Sequence, residues 1–148
     1  PSSSSAASDV YKRQAKGLVG MKLLPDRVAC SGAVRARQTL ERMLKVFGDH
    51  PKVEYRQALY DGGMQSVFDE LANAKDKTRV LMVLGHEPTV SVSCQWLASS
   101  DSDMVKLDLL NLGMSTASVV VFGSDQPFSR WQVHDAELLA VLSPKDFD

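Results

Sequence analysis

The chain has 148 residues, 44% of them apolar and 24% charged, with 17 Lys and Arg against 18 Asp and Glu for a formal charge of −1. That is the size and balance of one globular domain able to bury a core. It leaves no basic excess for neutralising nucleic acid or a membrane surface, and its apolar runs fall short of the roughly 20 residues a membrane span needs.

The first fourteen residues, PSSSSAASDVYKRQ, open on a serine run without apolar periodicity, which predicts a disordered tail. The run SAASDVYKRQ is also similar to one that turns up at the ends of translated transcript assemblies. Residues 1–14 are therefore read as extraneous, and 15–148 as a domain incomplete at its beginning.

From Ala15 to Leu24 the pattern fits the last turns of an amphipathic helix, broken by Pro25-Asp26. Arg27 to Cys30 reads as a short strand ending at Ser31-Gly32. A helix follows from Ala33 to Phe47, with Val34, Leu40, Met43, Leu44 and Phe47 at a period near 3.6 and Gly48 as its stop. Val53 to Leu59 is a possible edge strand, and Met64 to Ala74 a second amphipathic helix. The continuous apolar run from Val80 to Gly85 predicts a central strand buried on both faces, as in a parallel sheet.

Pro88 to Ala98 should be a helix, with Pro88 in its first turn. Ser99 to Asp103 reads as a polar loop and Ala117 to Phe122 as a strand. GSDQP is then a turn, and Trp131 to Val133 the partner strand of a final hairpin. The alternation implies an α/β three-layer sandwich, with a mostly parallel central sheet, helices on both faces and an antiparallel edge hairpin. Cys30 and Cys94 show no metal-ligand spacing and have apolar neighbours, which predicts buried thiols in a reducing compartment, cytoplasmic or organellar rather than secreted.

Two predicted strand ends carry polar residues that packing does not require. RVAC leads into Ser31-Gly32-Ala33-Val34-Arg35-Ala36-Arg37, and VLMVLG leads into His86. If these strands are parallel neighbours, Arg35 and His86 meet at one sheet edge beside two helix N-termini. Free N–H donors and a guanidinium fork there suit phosphate oxygens. By spacing alone, Arg35 and Arg37 also read as solvated helix residues and His86 as a hydrogen-bonded structural histidine. His50 and His134 are assigned to the surface.

Taken together, CSGAVRARQTLE and VLGHEPTVS resemble the second and third motifs of the histidine phosphatase superfamily, most closely its small SixA-like phosphohistidine phosphatases. ALYDGG, GMSTASVVVF and the terminal SPKDF extend the resemblance from about Pro25 to Phe147. It implies an α/β fold and a histidine nucleophile in an Arg-His-Gly motif at the end of a first strand. That histidine would take the phosphoryl group from a phosphohistidine or a small phosphomonoester and pass it to water. The partners implied are a phosphorylated protein or a small phosphorylated substrate, with no cofactor and no metal.

By motif position Arg35 is implied as a phosphate-binding arginine and His86 as the second histidine, with Ser31 and Thr116 at the pocket edge. No Arg-His-Gly occurs among the 148 residues. The resemblance therefore implies a phosphatase whose first strand and nucleophile are missing here, and a chain that is inactive as it stands. Asp61 and Glu87 are the candidates for a general acid. A module that holds an anion without chemistry, and an unrelated α/β domain with structural Arg and His, remain as other readings.

Overall fold

The computed structural model describes residues 3–148, and side-chain surroundings from residue 9 onward. Helix α1 runs over Ser3–Gly20, followed by β1 (Arg27–Ser31), α2 (Val34–Phe47), β2 (Lys52–Arg56), the short α3 (Ala58–Asp61) and α4 (Met64–Ala72). Strand β3 (Leu81–Leu84), α5 (Thr89–Leu97), α6 (Met104–Asn111), β4 (Val119–Gly123) and β5 (Glu137–Leu142) complete the main elements. Two single 3-10 turns cover Phe128–Arg130 and Pro144–Phe147.

β1 lies between β2 and β3 and is parallel to both, with Cys30 opposite Tyr55 on one side and Leu84 on the other. Its side chains alternate as a pleated strand requires. Val28 and Cys30 pack on Ala36 and Leu40 of α2, while Ala29 packs on Leu59 and Val67 of α3 and α4. Helix α1 joins α2 on the first face, where Ala15, Leu18, Met43 and Phe47 close the core. Three layers result: α1 and α2, the sheet, and α3 with α4. β4 and β5 form an antiparallel pair whose Leu138 packs against Cys94 and Ala98 of the α5 region and Leu110 of α6. Both thiols are buried, and burial pushes Cys30 up to about 11 and Cys94 to about 12.

Three expectations need correction. Residues 3–14 are not a disordered tail but the body of α1; residues 1 and 2 lie outside the described residues. Tyr11, Ala15 and Leu18 stand four and three residues apart, one continuous helical stripe, and all three pack in the α1–α2 core. The buried Gln14 amide donates to the Ala117 carbonyl. Nor is β3 a doubly buried central strand. It is the end strand of the three-stranded sheet, and all four residues keep partial exposure because one edge has no partner among the described residues.

The third correction concerns the hairpin. Its second strand is Glu137–Leu142, not Trp131–Val133, because the longer apolar run ELLAVL pairs with β4. Trp131 instead closes a loop, its indole N–H donating to the Gln126 carbonyl at 3.0 Å. Helix α6, started by Asp103 accepting the Lys106 N–H, was not foreseen.

Candidate active site

Ser31 ends β1 and His86 follows β3 by two residues, so the parallel register brings them to one rim of the sheet. Ser31 is fully buried, and its Oγ lies 2.6 Å from His86 Nε2. The same oxygen accepts the Ala33 N–H at 3.2 Å. A hydroxyl so engaged still has its proton to give. It can donate to Nε2, which leaves the ring proton on Nδ1, free to donate to an anion.

Helix α2 starts beside this pair. Its N-cap is Ala33, an extended residue with no side-chain oxygen to satisfy the first-turn N–H groups. Alanine is among the poorest choices there, since Ser, Thr, Asp or Asn would accept one of those donors. The open end keeps its N–H groups and the positive end of a 14-residue helix dipole available to an anion. Helix α5 differs. The Glu87 carboxylate accepts the Ser91 N–H at 3.0 Å and the Ser91 hydroxyl, so a built-in anion already occupies that N-terminus. The two helix ends foreseen at this rim reduce to one that is open.

The four residues singled out from the sequence divide into two pairs. Ser31 and His86 touch. Arg35 stands exposed in the first turn of α2, and Thr116 is exposed in the turn that Ser115 and Ser118 close before β4. Neither side chain forms a hydrogen bond or ion pair with another described residue. Arg37 faces away, its guanidinium 4.8 Å from the centre of the Tyr55 ring. Of the two acid candidates, Glu87 is held at α5, and Asp61 accepts from Gln57 at 3.3 Å at the end of α3.

Tyr60 was missed. Its ring meets His86 edge-on, with centroids 5.6 Å apart and planes at 71°. That contact packs the Tyr60 ring against the imidazole, and the ALYDGG string containing Tyr60 was the available signal. Among the described residues no group of three or more His, Cys, Asp or Glu side chains is arranged to hold a metal ion, and no helix is long and apolar enough to cross a membrane.

No family model matches the chain. It is 26% identical over 120 residues to an uncharacterized protein of Mycobacterium leprae (strain TN), covering 81% of this chain and 72% of that one. It is 34% identical over 97 residues to an uncharacterized protein in two Mycobacterium tuberculosis strains, covering 65% of this chain and 59% of theirs. The chain thus spans about three fifths of the length of the tuberculosis relatives. Among solved structures, it superposes on a candidate phosphohistidine phosphatase SixA from Nakamurella multipartitia with a TM-score of 0.80 at 26% identity, covering 93% of this chain and 81% of that one.

The chain has the SixA-like fold of the histidine phosphatase superfamily.

Two further SixA structures share this fold at a TM-score of 0.73: a candidate from Agrobacterium tumefaciens (19% identity, 95% of this chain and 82% of that one) and a protein histidine phosphatase SixA complexed with tungstate (20%, 95% and 83%). Within the SixA-like fold of this chain, the rim that joins Ser31, His86 and the open end of α2 lies at the carboxyl ends of parallel strands. Open α/β sheets place their ligands there.

Proposed function

We propose that this chain carries the phosphate-holding part of a histidine phosphatase that hydrolyses a phosphohistidine or a small phosphomonoester. The observation that carries the reading is the uncapped N-terminus of α2 beside the Ser31–His86 pair, with Arg35 on its first turn. In this reading His86 Nδ1–H, the α2 N–H groups and the Arg35 guanidinium hold the phosphoryl oxygens. The Thr116 hydroxyl adds a donor from the turn before β4. Such charge stabilisation supplies most of the catalysis in phosphoryl transfer.

The nucleophile would be a histidine in an Arg-His-Gly segment that the 148 residues do not contain. Its ring nitrogen attacks phosphorus, the bond to the substrate's nitrogen or oxygen breaks, and the leaving group takes a proton. Water then cleaves the phosphohistidine and regenerates the imidazole. Helix α1 carries the folded part back to Ser3, ahead of the 15–148 boundary expected from the sequence. The SixA neighbours support the phosphatase class.

Sequencing the native transcript upstream of the Ala15 codon is the direct test. An apolar strand followed by Arg-His-Gly is expected. The protein carrying it should hydrolyse a phosphoamidate, and lose at least 100-fold in turnover with His86→Ala or Arg35→Ala. Turnover by chain 1–148 itself would refute the missing nucleophile. The lack of Arg-His-Gly in these residues also favours a second reading, an anion-binding module without chemistry. A native message that enters residue 15 without that motif, with tungstate still bound through His86, would establish it.

A further inference from the structure

The opposite rim of the same sheet carries a second cluster. At the amino-terminal ends of the parallel strands a cavity of about 250 Å³ is lined by Arg27, Lys52, Lys75, Lys77, His50 and Asp26. Four permanent cations face one carboxylate, on a chain whose overall formal charge is only −1. The clustering is therefore local and not the by-product of a basic protein.

The frame of this cavity is held by the backbone. Asp26 donates its N–H to the Val80 carbonyl and accepts the Lys52 N–H, both at 2.9 Å, and so ties the starts of β1, β2 and β3 together. Its Oδ2 accepts the N–H groups of Arg79 and Val80 at 2.6 and 2.8 Å, and Oδ1 faces His50 Nε2 at 3.4 Å. The one carboxylate in the lining is thus engaged by its own donors. Arg27 pairs with Glu54. Lys52, Lys75 and Lys77 have no acidic partner among the described residues, and they converge from two segments more than 20 residues apart.

We infer that this rim binds a compact anion of the diphosphate class at a site separate from that of His86. Three unneutralised ammonium groups, beside an Arg27 guanidinium already paired with Glu54, match two phosphoryl groups better than one. The site is an open cleft, and its roughly 250 Å³ is room enough for a diphosphate. Arg27 and Ser31 lie at opposite ends of β1, four residues or about 13 Å apart, so one small anion cannot serve both rims.

The test is calorimetric titration of chain 1–148 with inorganic diphosphate in metal-free buffer. Saturable binding is expected. The Lys75→Gln/Lys77→Gln variant should weaken it at least tenfold, and His86→Ala should change it less than twofold. These lysines are exposed, so the melting temperature should hold; Lys52→Glu, altering a different segment, provides an independent repeat. Absence of binding at millimolar diphosphate overturns the site. So does binding that survives both lysine variants, or binding lost with His86→Ala, which would return the anion to the first rim. ADP binding more than tenfold tighter than diphosphate would assign a nucleoside diphosphate, and equal or weaker binding the bare anion.

Discussion

Ser31 shows how much rests on a single hydroxyl. Its Oγ serves Ala33 N–H and His86 Nε2 at once, from a position without solvent access. Replacing it by alanine leaves a part-buried N–H and an imidazole nitrogen without their partner, and should cost about 1 kcal/mol. Urea unfolding of Ser31→Ala measures this, and tungstate affinity should fall in parallel because the ring loses the partner that positions it. Sequence reasoning reached His86 because parallel pairing fixes which strand ends adjoin, and Ser31 through the motif resemblance. It could not reach the bond between them, which depends on register, nor Tyr60, whose approach depends on a four-residue helix after β2. Arg35 was expected at the same rim by that pairing and by motif position, and Thr116 by motif position alone; both side chains stand exposed.

At the scale of elements, the turn after α3 is the tightest local constraint near the site. A Cβ on Gly62 would stand 2.6 Å from the Ala58 carbonyl oxygen, which already accepts the Gly62 N–H at 2.8 Å. Backbone cannot yield as a flexible side chain would, so Gly62→Ala should cost about 1–3 kcal/mol. Thermal melting gives the loss, and the His86 ring resonances should shift as Tyr60 moves with α3. Elements with strong periodicity were readable: α2 and α4 fall within two residues of expectation, and β1 and β3 within one. The misses have local causes. Helix α6 (MVKLDLLN) has apolar residues spread around it, so no stripe announces it, and Val34, assigned to the core face of α2, is 69% exposed. The hairpin's second strand was expected at Trp131–Val133, β-prone residues soon after the GSDQP turn, and lies instead at Glu137–Leu142. Trp131 meets Phe128 with ring centroids 5.0 Å apart and planes tilted by 51°.

Across the whole molecule, two features of the sheets decide behaviour in solution. Among the described residues, β3 pairs only with β1 and β4 only with β5, so each presents an unpaired edge. Such edges template pairing with other chains. Chain 1–148 should therefore self-associate as its concentration rises, which light scattering after gel filtration will show; a monomer at high concentration with a sharp cooperative melt would contradict it. The other feature is Asp26, which binds the starts of three strands. Burial alone would raise its pKa, but the N–H groups of Val80 and Arg79, with His50, hold it below the usual 3.8. A depressed folded-state value stabilises the fold above pH 3.8, and that contribution disappears as pH falls through the folded-state pKa. The melting temperatures of wild type and Asp26→Asn should accordingly differ at pH 7 and converge only as the pH falls below the folded-state pKa, itself under 3.8.

The place of β1 between two later strands also sets a schedule for synthesis. Its partners begin at Lys52 and Leu81, and the second is about 54 residues downstream of Arg27. At roughly 5–20 residues per second, the ribosome needs about 3–11 s to deliver β3 after β1 has formed. Throughout that interval the apolar Val28, Ala29 and Cys30 have one sheet edge open while still tethered to the translating chain. Slowed elongation between residues 57 and 80 would lengthen this window, so the chain's yield should be sensitive to codon choice in that stretch and to chaperones that shield nascent apolar segments.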